Sequence, residues 1–390
     1  MKRMPHLMAP GPTPLPPEVL QALALPAIHH RGAPFKAIMQ GLQTALQAML
    51  QTQQTVLTLT ASGTGVMEAA VVNLLARGDK GICINGGKFG ERWGDLLRAY
   101  GCVPVEVVVE WGQAPTVAMI QAALDAHPDA RAVFLQASET STATSFPLEA
   151  IARLVRSQDG KRDTDLLLVV DGITAVGVDD IPFDAWGIDA LCAASQKAFM
   201  CPPGLGFLAL SERAWAATQR SDLPKFYFDL ARERKSQKTG VTTWTPATAL
   251  VMAVDAALKL ILDEGLAKTF ARHARLAAAM RAGVQALGMT LLSSSPANCA
   301  TAFAPPPHVD AEALRKAVLK HQNLFMAGGQ DHLTGKIIRV GHLGYFQDAD
   351  IIATIGALEV ELARLGHAND VGAGTRAVAA SLIGQGRTAP

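Results

Sequence analysis

Lys197 is the only charged residue between Asp189 and Ser211, in the stretch DALCAASQKAFMCPPGLGFLALS. An unpaired ammonium is rarely buried, because an apolar setting either strips its proton or destabilises the fold. One solution is a loop tip from which the side chain snorkels to water. The other is a lysine whose charge is exchanged for a Schiff base, a role that its easily shifted pKa suits. Three further stretches could serve such a lysine. In LLLVVDGITAVG, Asp171 closes an apolar run and needs a partner. A protonated pyridine nitrogen would be one, and a cap on the following turn is the equal alternative. In TASGTGVME, Ser62, Gly63, Thr64 and Gly65 open a helix, where small residues let backbone N–H groups approach a phosphate. The same pattern describes an N-capped helix without a ligand. It is not a dinucleotide fingerprint, since Glu68 takes the place of the third glycine. In NGGKFGERW, Phe89 offers a flat ring for stacking, although a lone aromatic is more often core.

These residues need elements to bring them together. From residue 55 short apolar runs alternate with helical periods: TVLTLT, GICING, VPVEVVV, RAVFLQAS, DLLLVVDG, DALCAAS and GFLALS read as strands, while VAMIQAALDAH and LEAIARLVRS read as helices. Val66, Ala70, Asn73, Leu74 and Arg77 recur at helical spacing, with Gly78 expected to end that helix. Strands apolar at every position and separated by helices predict an α/β fold with a mostly parallel central sheet covered on both faces. Ligands in such sheets bind at the strand ends, where all four features lie. Lys197 follows Asp171 by 26 residues, the separation of neighbouring strand ends. A phosphate cradle, a ring stack, a ring-nitrogen carboxylate and a strand-end lysine are together what pyridoxal 5′-phosphate (PLP) requires.

After Ser211 the pattern changes. LPKFYFDLARERKSQKTGVTTWTPATA is polar and poor in period, and a long helical run from about Leu250 to Leu287 leads to a smaller α/β unit with TAFAPP, AEALRKAVLKHQ, KIIRVGH and DADIIATIGALEVELARLG. We therefore expect an N-terminal arm (1–20), a large cofactor-binding domain (21–250), a small C-terminal domain (251–368) and a loosely ordered Gly- and Ala-rich tail (369–390).

The 390 residues carry 35 Lys+Arg against 34 Asp+Glu, a net charge of +1 with the signs interspersed, which argues against nucleic acid as a partner. Prolines 5, 10, 12 and 14 interrupt any secretory leader, and no apolar run of membrane-spanning length appears, so a cytoplasmic protein without a membrane partner is expected. Five cysteines without a C-x-x-C pair, and histidines without metal-ligand spacing, predict buried free thiols and no metal site.

With ASQKAFMCPPGLGFLALS, VDGITAVG and GKIIRVGHLG in these positions, the chain resembles the PLP-dependent class V aminotransferases of fold type I, in the alanine/serine–glyoxylate aminotransferase group, from APGPTPLPPEV to about residue 365. The resemblance implies that Lys197 carries PLP as a Schiff base and Asp171 pairs the ring nitrogen. Ile173 packs one ring face and Phe89 the other, where many relatives have tryptophan. Ser62, Gly63, Thr64 and Gln196 would hold the phosphate, and Thr140 would stand near the ring oxygen. Thr245 would reach the phosphate of a neighbouring subunit, which implies a homodimer with shared sites; Thr242 stands where some relatives have a tyrosine. Arg339 would clamp the substrate α-carboxylate in a bidentate fork. Arg31, on an implied active-site loop, would help choose the substrate.

The implied reaction moves an amino group from a small L-amino acid (alanine, serine or aspartate) to glyoxylate or pyruvate by a ping-pong mechanism, with Lys197 as general base. Other readings share the fold. A cysteine desulfurase-like lyase usually has a histidine before the lysine, where Gln196 stands. A phosphonate or phosphoserine transaminase requires additional cations. A non-catalytic PLP-fold binding subunit has no need to keep Lys197, Asp171 and Arg339 together.

Overall fold

In a computed structural model of the chain, which describes residues 4–163, 165–367 and 370–386, the apolar runs assemble as a seven-stranded sheet. The chain enters through a short strand β1 (His6–Leu7) and two helices, α1 (Pro17–Leu23) and α2 (Ala33–Leu50). The sheet strands are then β2 (Val56–Leu59), β3 (Lys80–Asn85), β4 (Val103–Val108), β5 (Ala132–Gln136) and, after the small hairpin β6 (Ser138–Glu139) and β7 (Thr144–Ser145), β8 (Leu167–Asp171), β9 (Ala190–Ala194) and β10 (Gly206–Leu210). Their order is β2-β10-β9-β8-β5-β3-β4. Only β10 runs against its two neighbours, so the sheet is mostly parallel as expected.

Every residue of β5, β8, β9 and β10 is buried. Alternation within each strand splits them between two cores. Leu168 and Val170 of β8 face a cluster shared with α2, α5 (Val117–Ala126) and α6 (Leu148–Arg156). Leu167 and Val169 face the opposite cluster, shared with α3 (Gly63–Leu74), α4 (Lys88–Ala99) and α7 (Glu212–Thr218). Helices on both faces explain why these strands lack a polar alternation.

The polar stretch after Ser211 is more regular than its sequence suggests. It contains α8 (Leu230–Gln237), whose N-cap Asp229 accepts from Arg232 N. The long helical run is two helices, α9 (Thr248–Glu264) and α10 (Leu266–Ala286), broken at Gly265, whose φ of 85° lies where glycine is favoured. The break redistributes the core. α9, expected to open the small domain, buries Val251, Val254, Leu258 and Ile261 in the cluster of α2 and the central sheet, whereas α10 buries Leu276, Met280 and Val284 in the C-terminal cluster. The α3 helix stops at Leu74 because Leu75 is extended, so Gly78 falls in the turn beyond it.

The C-terminal unit is an antiparallel sheet ordered β11-β12-β15-β14, made of β11 (Thr290–Leu291), β12 (Ala300–Ala304), β14 (Ala327–Gly328) and β15 (Ile338–Gly341). Between β12 and β14 lie α11 (Ala311–Ala317) and β13 (Leu324–Phe325), which pairs in parallel with β1 and ties the N-terminal arm to this unit. α12 (Asp348–Arg364) covers the sheet. The tail, expected to be loose, instead forms α13 (Ala373–Gly386) and buries Val378 against Gly283 and Ile355; residues 1–3 of the arm and 368, 369 and 387–390 lie outside the described residues. No helix among the described residues is long and apolar enough to cross a membrane.

Burying a valine contributes roughly 1.5–3 kcal/mol, and a carboxylate in its place would be unpaired. Val378→Asp is therefore expected to lower the urea midpoint of the first unfolding transition, while the exposed Ile383→Asp leaves it unchanged.

Candidate active site

The site is built where β8 and β9 end and α3 and α4 begin, around a cavity of about 120 Å³. After β9 the chain folds back on itself: Ser195 Oγ donates to Pro202 O (2.7 Å), and Cys201 N donates to Ser195 O (3.0 Å). This tight return presents Gln196 and Lys197 to the cavity. The N-terminal arm closes over the lysine. Thr13 donates to Gln196 O through its N–H (3.2 Å) and to Lys197 O through its hydroxyl (2.9 Å), while Lys197 Nζ donates to Pro10 O at 3.0 Å. Gly11 is required there, since a Cβ would fall 2.3 Å from Nζ. Burial pushes the Lys197 amine down to about 8, helped by the charges of Arg339 and Arg92 and opposed by Cys299 and Asp171. The lysine therefore gives up its proton far more readily than an ordinary lysine, and a useful fraction of it is the free amine that a nucleophile or base must be.

Asp171 is pushed up to about 6 by burial at the end of β8; the Ile173 N–H, which donates to Oδ1 at 2.9 Å, and the charges of Arg92 and Lys197 oppose the shift. A buried carboxylate with one donor is suited to a cationic partner such as a protonated ring nitrogen. Ile173 presses on the start of α3, where a Cβ on Gly63 would lie 2.4 Å from its Cδ1. Ser62 caps α3, accepting from Gly65 N at 3.4 Å, so this end of the cavity is a helix N-terminus with the Ser62 and Thr64 hydroxyls beside it.

Phe89 reaches the cavity from the first turn of α4. That turn is held by Glu139 of β6, a fully buried carboxylate that accepts from Gly90 N (3.0 Å), Phe89 N (3.4 Å), Ser141 N (3.1 Å) and Ser141 Oγ (2.5 Å). Burial pushes the Glu139 carboxyl up, and these four donors oppose the shift. The next residue, Thr140, shares a 2.8 Å hydroxyl contact with Thr174, and its carbonyl accepts from Arg339 Nη1 at 3.1 Å. Arg339, on β15, also donates from Nε to Gly328 O at 2.9 Å; among the described residues Nη2 has no protein partner.

The structure thus gathers Ser62, Gly63, Thr64, Phe89, Thr140, Asp171, Ile173, Gln196 and Lys197 around one cavity, with Arg339 against Thr140. It does not gather Arg31 or Thr245, which are exposed and do not line it. Arg92 and Thr174 line the cavity without having been expected there. Arg92 had a legible signal, since it lies three residues after Phe89 on one helix face. Glu139 and the Pro10 carbonyl had none, because each acts across a long separation in the chain.

The residues present fit PLP: donors at a helix N-terminus for a phosphate, an aromatic and an isoleucine for two ring faces, and a carboxylate and an amine for the ring. Gln196 lines the cavity with its Oε1 buried and unpartnered, and exchanging the amide O and N would turn an N–H toward a phosphate. Fold and site together define a fold type I PLP enzyme. A model of the aminotransferase class-V family matches residues 6–341. The chain is 42% identical over 366 residues to a soluble hydrogenase small subunit of Synechococcus sp., covering 93% of this chain and 94% of that one. It is 31% identical over 377 residues to an L-aspartate–glyoxylate aminotransferase of Paracoccus denitrificans, covering 95% and 94%. Among solved structures, an alanine–glyoxylate aminotransferase from Nostoc sp. superposes with a TM-score of 0.88 at 30% identity, covering 93% of this chain and 96% of that one. The chain belongs to the class V aminotransferases and is a PLP-dependent transaminase.

Two outcomes follow from this geometry. The rate at which cofactor-free protein captures PLP should rise with pH about a midpoint near 8, set by the depressed Lys197 amine, whereas an ordinary lysine would show a midpoint of about 10.4. Glu139→Ala leaves buried N–H groups without acceptors and should cost about 1–3 kcal/mol in denaturant unfolding, with Glu139→Gln losing less.

Proposed function

We propose that this transaminase moves the amino group of a small L-amino acid, alanine, serine or aspartate, to glyoxylate or pyruvate in two half-reactions. The observation that carries the reading is the joint presence of a depressed lysine amine, a buried carboxylate and a buried arginine with one unpaired nitrogen around a single cradle. Relatives named for aspartate and alanine donors, with glyoxylate as acceptor, support the substrate class.

Arg339 receives the substrate carboxylate at Nη2, with its other nitrogens already held by Thr140 O and Gly328 O, so the fork is fixed before substrate arrives. Lys197 Nζ would accept the proton from substrate Cα and hold it for return. When bound, PLP supplies the carbonyl that captures the amine and the ring that takes up the electron pair released at Cα. Asp171 would keep a ring nitrogen protonated, while Phe89 and Ile173 would hold the ring faces. Ser62, Gly63, Thr64 and Gln196 would hold the phosphate.

Thr245 acts, in this reading, at the site of a second subunit, and Arg31 helps choose the substrate. Thr245 is exposed beside an aromatic group in which Trp244 lies 4.9 Å from Phe226 and 5.9 Å from Tyr227, with Phe226 70% exposed, which supports a homodimer with shared sites. A cytoplasmic setting is supported by five free, buried cysteines.

The holoenzyme should be yellow. Adding L-alanine, L-serine or L-aspartate without acceptor should bleach the band and glyoxylate should restore it; a band that no donor moves would overturn the transaminase reading. Arg339→Ala should keep the band and raise the KM for the amino acid about a hundredfold, as expected for the loss of a charge-assisted carboxylate contact.

A further inference from the structure

The phosphate end of the cavity presents one unassigned charge. Arg92, on α4, lines the cavity with Ser62, Gly63 and Thr64. Its Nη1 donates to the Thr64 hydroxyl at 3.1 Å, and its guanidinium lies 4.9 Å over the Phe89 ring. Among the described residues it forms no ion pair, although most arginines around the fold are paired with a carboxylate. A partly enclosed guanidinium aimed at a helix N-terminus and bonded only to a neutral hydroxyl is a cation awaiting an anion. The cradle otherwise offers neutral donors alone, and Lys197, the other cation on this cavity, is needed at the ring.

We infer that Arg92 is the cation of the phosphate cradle, closing on the cofactor phosphate from α4 while Ser62, Gly63 and Thr64 donate from α3. The assignment rests on the PLP reading of the cavity and extends it. The Phe89 stack and the Thr64 hydroxyl hold the guanidinium in place, so little side-chain freedom is lost when the dianion arrives. The same charge acts on Asp171, where it favours the ionised carboxylate, so the residue that neutralises the phosphate also supports the carboxylate opposite the ring nitrogen.

The test compares PLP with pyridoxal, which has the same ring and aldehyde but no phosphate. Cofactor-free wild type and Arg92→Gln are titrated with each ligand and followed by absorbance, with the thermal midpoint of the unliganded proteins as a check on folding. Arg92→Gln should bind PLP about ten- to a hundredfold more weakly, and pyridoxal within about twofold of wild type, as expected for one charge-assisted contact. Arg92→Lys, which keeps the charge without the fork, should fall between; Arg92→Met replaces the glutamine variant if that protein does not fold. Equal weakening of both ligands would make Arg92 a structural residue, and unchanged PLP affinity would leave it without a role at the phosphate. Either result overturns the inference. If wild type binds neither ligand, the PLP reading of the cavity fails instead.

Discussion

Lys197 can act only while its amine lacks a proton, and burial at the end of β9 makes that proton easier to lose than a lysine's ordinarily is. Desolvation disfavours the ammonium, and two guanidinium groups, Arg92 and Arg339, push the same way. Asp171 opposes them without pairing directly with the lysine; its Oδ1 is taken by the Ile173 N–H. The balance holds because the amine has one neutral acceptor, Pro10 O, at 3.0 Å. A carboxylate in that place would hold the proton on the amine and suppress the nucleophile.

Much of the surrounding structure braces that lysine. Thr13 holds the carbonyls of both Gln196 and Lys197, and Gly344, with a φ of 85°, lies so close that a Cβ would be 3.1 Å from Lys197 O. Gly344 N–H in turn donates to His273 Nε2, and His273 Nδ1–H donates to Thr269 O, both at 2.8 Å. Those roles require a neutral imidazole, and burial pushes His273 down to about 3. The α10 helix thus reaches the back of the lysine loop through one uncharged ring.

The two sheets meet the site from different sides. The central sheet delivers Asp171 and Lys197 on neighbouring strands, while β15 of the C-terminal sheet delivers Arg339 to the Thr140 carbonyl. Glu139 joins them indirectly, because its carboxylate organises the first turn of α4 and its neighbour Thr140 receives the arginine. Ring stacking and carboxylate binding therefore share one hairpin.

Local signals carried the parts of this protein that depend on one segment at a time. Strands apolar at every position announced a covered parallel sheet. A lone lysine and a lone aspartate closing such strands, and a Ser-Gly-Thr helix start, announced the cavity that gathers them. What tertiary structure alone decided is which surfaces meet. Periodicity shows that α9 and α13 have apolar faces but not that α9 joins the central core or that the Gly- and Ala-rich tail packs on α10. Nor does it bring Pro10 to Lys197 across 187 residues, or turn Arg92 onto Thr64. A hydrophobic pattern specifies that a face must be buried, whereas its partner is selected by packing among segments distant in the chain.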